Sequence, residues 1–207
     1  MQQAPYGIAD AEVLDEWAYN NPDILLVFAA GNNELWSMTA GKSQFAAQVQ
    51  AWATAKNILT VGATYTDRPI VETSVWDKVD YSEANLKTFK SKKGTVAPFS
   101  NRGPVAKTKR TKPDIVAPGV GILSARAANA SAQAGIGDFI KFYGKVPGSD
   151  QSTPKLIFCS GTSMATPVAS GCVALVREAF GQWQSPLSPS ASLIKALLIN
   201  GADDLGE

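Results

Sequence analysis

The sequence predicts an α/β layer fold with a mostly parallel sheet and helices on both faces. Three observations point there. Ile24-Leu25-Leu26-Val27-Phe28-Ala29-Ala30 and Ile58-Leu59-Thr60-Val61-Gly62-Ala63 are continuous apolar runs too short for core helices, the pattern of strands buried on both sides. A helical pattern precedes the first run and Gly31-Asn32-Asn33 closes it, one helix–strand–loop step of such a layer. Finally, Ser160-Gly161-Thr162-Ser163-Met164-Ala165-Thr166-Pro167 leads into a segment ending near Phe180 that is apolar or small nearly all round, as in a helix at the centre of a domain.

The totals agree with one globular domain, 1–207. A chain of 207 residues with 45% hydrophobic content can bury a real core and does not require two. A net charge of +1 gives no electrostatic reason to expect nucleic acid or a membrane surface as partner. No run has the length of a transmembrane helix, and the opening Met1-Gln2-Gln3-Ala4-Pro5 says nothing about export.

Taken in order, Asp10 is the expected N-cap of a helix through about Asn20, with Val13, Leu14, Trp17 and Ala18 on one face and Asn20-Asn21-Pro22 as the stop. Residues 34–53 lack a clear period, and 66–95 read as an exposed excursion of patterned charge. Pro98–Pro104 is turn chemistry around a short strand. The basic run Lys107–Lys112 reads as a solvated loop, since no aromatics are interleaved with it. Asp114–Gly119 gives a short strand and a turn, and 125–153, rich in Ala, Gly and Ser, an irregular segment or insertion. Lys155–Phe158 is a last strand feeding the Ser163 helix, which Phe180-Gly181 stops with Arg177 in its last turn. Ser190 caps a closing helix with Leu193, Ile194, Leu197 and Leu198 toward the core, ended by Asn200-Gly201. Cys159 and Cys172 would lie roughly 15–20 Å apart, too far for a disulfide, and read as buried small hydrophobes.

A serine hydroxyl needs a base to take its proton and donors for the oxyanion that follows. Ser163 at a helix start has the donors, because the first N–H groups are unpaired and the dipole end is positive. Pro167 is expected in the first turn, where its missing N–H costs nothing. Taken singly, Ser163 reads as well as a helix cap and Asn32 as a turn residue ending a strand.

Together the stretches carry more. Gly161–Pro167 resembles the nucleophile signature of subtilisin-like serine peptidases, the subtilases. Phe28-Ala29-Ala30-Gly31-Asn32 resembles their oxyanion-hole strand end. Residues 53–63, Phe99–Pro104 and Lys112–Gly119 are similar to the strands between, and all five stretches occur in the family's order. The resemblance implies a three-layer subtilisin-like fold and an endopeptidase acting on polypeptides. It makes Ser163 the acylated nucleophile and Asn32 an amide donor to the oxyanion beside the Ser163 N–H. Ala29, Ala30 and Gly31 would wall the site of the residue before the scissile bond. It also implies secretion or a vacuole, no obligate cofactor, and calcium as a possible ion with no site identifiable here.

The chain departs from that pattern at a decisive point, for it contains no histidine. The family's order Asp, His, Ser places the other two triad members before Met1. The expectation is therefore the C-terminal part of a catalytic domain, inactive alone, with its own missing N-terminal segment as partner. Such a chain should expose an unpaired sheet edge and an apolar face. Gln50-Ala51-Trp52 stands where the family has small residues and proline near the pocket floor, and Val168 follows Pro167 where many members have histidine. Two rival readings are a non-catalytic remnant that binds peptides or partners, and an α/β nucleotide-binding domain. The latter lacks a Gly-x-Gly-x-x-Gly after either buried run.

Overall fold

A computed structural model describes residues 8–32, 48–49, 51–65, 94–97, 99–106, 108–120, 122–125, 156–183 and 188–205. In order these form α1 (Ile8–Asn20), β1 (Val27–Ala29), a 3-10 turn (Ala51–Thr54), β2 (Leu59–Thr64), β3 (Ile115–Pro118), β4 (Ile122–Ala125), β5 (Leu156–Cys159), α2 (Thr162–Trp183) and α3 (Ala191–Asn200). Strands β1, β2 and β3 make a parallel sheet with β2 central, Val27 opposite Leu59 and Val61 opposite Ile115. The outer edge of β1 has no strand partner among the described residues.

All of β2 is buried, which is why its sequence is apolar without alternation. Leu59, Val61 and Ala63 pack under α2 with Ala117, Val120, Ala165 and Ala169, and Val27 joins them from β1. Ala165 and Ala169 let the helix sit close to the sheet. Phe28 points the other way, between Ala11 and Ile58 on one side and Ala30, Val49 and Ala53 on the other. Thus α1 and the 3-10 turn cover the opposite side of β1 from α2, as the period of two requires. Asp15 ties α1 to the turn before β2 by accepting the N–H groups of Lys56 and Asn57 at 3.1 and 2.8 Å.

Several expectations need correction. Helix α1 begins at Ile8, so Asp10 lies inside it, and its packed residues are Ala11, Leu14 and Ala18, while Val13 and Trp17 face outward. Only Val27–Ala29 of the first apolar run is strand. Residues 99–104 hold an isolated bridge at Arg102, which faces Gln48, instead of a strand. Strand β4 was not expected, and it pairs antiparallel with β5, so the last strand belongs to a second, two-stranded sheet. Most of 34–53 and 66–95, and 126–153, lie outside the described residues.

The helices differ as well. Helix α2 runs past Gly181 to Trp183, so Arg177 is not in its last turn; its guanidinium donates instead to the Asp23 carbonyl. Nor is α2 covered all round. Val168, Gly171, Cys172 and Leu175 form an exposed stripe, with Leu175 66% accessible, so Cys172 is not a buried hydrophobe. Ser190 does cap α3, accepting the Leu193 N–H, and Gly201 ends it. Ile194 is buried and Leu198 half-buried, whereas Leu193 and Leu197 face solvent.

The basic run is not all solvated. Arg110 donates to the Thr54 carbonyl, and Lys112 is buried. The Lys112 ammonium donates to the Ile58 carbonyl, the Thr60 hydroxyl and Asp114 Oδ2, at 3.2, 2.9 and 2.6 Å. Lys195 of α3 reaches the other Asp114 oxygen at 3.0 Å, and the Thr60 N–H also donates to Asp114. This cluster joins β2, β3 and α3. Burial pushes the Lys112 ammonium down to about 8, helped by nearby Lys195 and Arg110 and opposed by Asp114.

A depressed lysine has a defined sign. Between pH 8 and the unfolded value near 10.4 the unfolded chain holds a proton that the folded one has released, so stability rises with pH there. The contribution is about 3 kcal/mol over the whole window. Urea unfolding of wild type and Lys112→Met from pH 7 to 10 should show the wild type gaining on the variant as pH rises. Parallel profiles would rule this out.

Candidate active site

The site lies where the C-terminal end of β1 meets the start of α2. Past β1, the Ala30 N–H donates to the Val61 carbonyl at 2.9 Å and the chain turns at Gly31, whose φ of +105° favours glycine. A Cβ there would lie 2.3 Å from Asn101 Nδ2, so both backbone shape and space require glycine. Asn101 closes that side further, its N–H donating to the Gly31 carbonyl at 2.9 Å.

From the other direction, β5 leads through Ser160 and Gly161 into α2. The Gly161 N–H donates to the Gly119 carbonyl at 2.8 Å, and the Gly161 carbonyl accepts the N–H groups of Met164 and Ala165. Gly119, held by the Thr64 carbonyl at 3.0 Å, sits so close that its missing Cβ would be 2.8 Å from the Gly161 oxygen. The first turn of α2 therefore rests on the backbone at the end of β3.

Asn32 and Thr162 join the two halves. The Thr162 N–H and hydroxyl both donate to Asn32 Oδ1, at 2.8 and 2.9 Å, and the Gly31 N–H donates to the Thr162 hydroxyl at 3.2 Å. Because both partners of the Asn32 oxygen are donors, the amide orientation is determined and Nδ2 faces away from Thr162. No described residue accepts from that Nδ2. Ser163, second residue of α2, is exposed, and its N–H likewise has no acceptor among the described residues. The junction thus presents two unengaged donors beside one hydroxyl, at the positive end of a 22-residue helix.

Pro167 needs a different account from the sequence-based one. It is the sixth residue of α2, not in the first turn, and its missing N–H deprives the Ser163 carbonyl of its i+4 donor. Thr166 and Ser170 meanwhile bond back to the carbonyls of Thr162 and Thr166, at 2.8 and 3.0 Å.

The structure sets Thr162, the residue beside Ser163, against Asn32 and Gly31, with Ala29 ending the strand that leads in and Ala30 just past it. The Gly31 N–H is spent on Thr162 and its carbonyl accepts the Asn101 N–H, so Gly31 shapes a wall and has no donor left for a ligand. Sequence reasoning missed Thr162, Asn101 and Gly119 as supports of this junction. Thr162 sits beside the serine, but its value appears only once Asn32, 130 residues away, is folded against it. Among the described residues no three metal-ligating side chains gather.

A sequence model of the Subtilase family matches residues 5–207. The chain is 29% identical over 255 residues to the Dictyostelium discoideum serine protease/ABC transporter B family protein tagD, covering 93% of this chain and 13% of that protein. It is 39% identical over 117 residues to the serine protease AprX of Bacillus subtilis, covering 56% of this chain and 22% of that protein. The solved patellamide maturation protease PatA superposes with a TM-score of 0.54 at 23% identity, covering 98% of this chain and 51% of that chain. The likeness to PatA is one of fold.

Proposed function

The chain belongs to the subtilase family of serine peptidases, and from that premise we propose that residues 1–207 are part of the catalytic domain of a serine endopeptidase. Its substrates are polypeptides, as the family implies. Ser163 Oγ attacks the scissile carbonyl while a histidine, oriented by an aspartate, takes its proton. The tetrahedral oxyanion is held by the Ser163 N–H and Asn32 Nδ2, and its collapse expels the amine as the histidine returns the proton. Ala29, Ala30 and Gly31 wall the site of the residue before the cleaved bond.

One observation carries this reading: Thr162 holds Asn32 beside an exposed serine at a helix start, and neither Asn32 Nδ2 nor the Ser163 N–H has an acceptor among the described residues. The base is not among these residues, since the chain has no histidine. We assign His and Asp to sequence outside residues 1–207, together with the rest of a three-layer fold. Two features support this. The chain spans about half of the solved PatA structure, and the outward stripe of α2 leaves apolar surface for another part of the domain to cover.

The absent histidine also favours a second reading, a non-catalytic relative that binds peptides without cutting them. A fluorophosphonate probe separates the two. The isolated 207-residue chain should remain unlabelled, because no base activates the serine. The complete protein should be labelled at Ser163. Labelling of the isolated chain would overturn the assignment of the base, and an inert complete protein would overturn the endopeptidase reading and leave the binding one.

A further inference from the structure

A cleft of about 490 Å³ opens between the end of α1, the turn before β2 and the side of α3. Clefts of that size hold drug-sized ligands. Pro22 on its wall precedes β1, and Lys56 and Asn57 precede β2, whereas Asn32 follows β1. The cleft therefore lies at the opposite end of the parallel sheet from the Asn32 junction, and no step assigned to Ser163 uses it.

Its walls are mostly apolar. Ala18, Ala191 and Ala196 are small, and Ile199 and the Tyr19 ring stand exposed beside them. The polar groups are few and open. Lys56 is exposed, and its ammonium has no acceptor among the described residues. In the first turn of α3 the N–H groups of Ala191, Leu193 and Ile194 donate to the Pro22 carbonyl, the Ser190 hydroxyl and the Ser190 carbonyl. The Ser192 N–H has no acceptor among the described residues. Asn57 gives its side-chain N–H to the Asp15 carbonyl at 2.9 Å, which leaves Oδ1 as an acceptor. No acidic residue is among the described residues lining the cleft. Lys195, the other cation there, is held by the Lys56 and Ile58 carbonyls and by Asp114. Asp15 keeps its carboxylate on the N–H groups of Lys56 and Asn57. The charge left uncompensated is the Lys56 ammonium.

We propose that this cleft binds the C-terminal residue of a polypeptide, its free carboxylate on Lys56 and the Ser192 N–H and its apolar side chain against Ala191, Ala196 and Ile199. Each feature narrows the ligand. The unpaired cation calls for an anion, the apolar walls for a hydrocarbon body next to it, and Asn57 Oδ1 for an N–H donor close by. The last residue of a peptide joins all three within a few bonds, and capture of terminal carboxylates is a recurring mode of peptide recognition. A fatty acid has the first two and lacks the third. The assignment is independent of the chemistry at Ser163.

The test uses the complete protein carrying Ser163→Ala, so that the probe is not consumed. Fluorescein-labelled Gly-Ser-Gly-Leu with a free C-terminal carboxylate is titrated by fluorescence polarisation. The same peptide as its carboxamide should bind roughly 5- to 10-fold more weakly. Adding Lys56→Gln should weaken the acid by a similar factor and leave the amide unchanged, so that the two are no longer told apart. Ala196→Trp, which fills the cleft from an exposed position on α3, should abolish binding of both. Melting temperatures check that each variant keeps its fold; if Ala196→Trp melts early, the Lys56→Gln comparison decides alone. Equal affinity for acid and amide, acid–amide discrimination that persists in Lys56→Gln, or full binding to a folded Ala196→Trp protein overturns the proposal. So does an absence of binding at about 1 mM peptide. Octanoate that displaces the probe as well as unlabelled acetyl-Gly-Ser-Gly-Leu does would assign the cleft to an amphiphile and overturn the peptide assignment.

Discussion

Replacing Ser163 by alanine is expected to lower kcat of the complete protease by on the order of 10⁶ while leaving its folding untouched. The two halves of that expectation have separate causes. Ser163 is exposed and its side chain has no hydrogen-bond partner among the described residues, so removing one oxygen creates neither a cavity nor an unpaired buried group. Urea midpoints of the wild-type and Ser163→Ala chains should coincide. Catalysis falls because the only atom able to form the acyl-enzyme is gone, whereas the donors at Asn32 and the helix start remain. Residual hydrolysis should therefore exceed that in water by roughly 10³–10⁴, the share that oxyanion stabilisation and binding supply without a nucleophile. Retention of more than about 1% of wild-type kcat would show that another group is acylated.

The second large effect is on stability, at a residue that no reaction step uses. Gly119→Ala places a methyl 2.7 Å from the Ala63 Cβ, 2.8 Å from the Gly161 carbonyl oxygen and 3.1 Å from the Ala165 Cβ. None of these neighbours is the far end of a flexible side chain. Ala63 is fixed in the central strand, and Ala165 is fully buried on the first turns of α2. Relief requires the helix to move off the sheet. That costs about 3 kcal/mol, the upper end of the range for overpacking, and it draws Ser163 away from Asn32. Gly171→Ala is the matched comparison. Nothing lies within 4 Å of its added Cβ, and it sits inside α2 on the exposed side. There alanine should stabilise by about 0.5–1 kcal/mol through helix propensity. Urea unfolding of both variants checks the pair, and a Gly119→Ala loss below about 1 kcal/mol would contradict the packing argument.

How much of this was legible beforehand depends on what each element answers to. The central strand was readable because burial on both faces writes itself as an unbroken apolar run, and β2 matches that run to within a residue at each end. The cap and stop of α3 were readable because Ser190 and Gly201 act locally. The faces of α1 and α2 were misread, since Val13, Trp17 and Leu175 are apolar yet exposed, and a helical period cannot say which apolar stripe finds a partner. Lys112 was misread for the opposite reason. Its charge pointed to solvent, but Asp114, two residues on, and the Ile58 and Thr60 oxygens across the sheet satisfy it in the interior. In the site, the family likeness singled out Ser163 and Asn32 because their chemistry is motif-bound. Their supports, Thr162, Gly119 and Asn101, depend on contacts between distant segments that no local pattern encodes.

That distance carries a consequence for how the protein is made. The bond from Thr162 to Asn32 spans 130 residues, and the sheet between them must be in register before the two can meet. Closing so long a loop and pairing parallel strands are late, high-contact-order events in folding. A chain still emerging from the ribosome, or one locally unfolded, therefore carries Ser163 without the Asn32 amide beside its helix start. The topology works as a clock: its reactive geometry cannot precede the finished fold that would keep it under control.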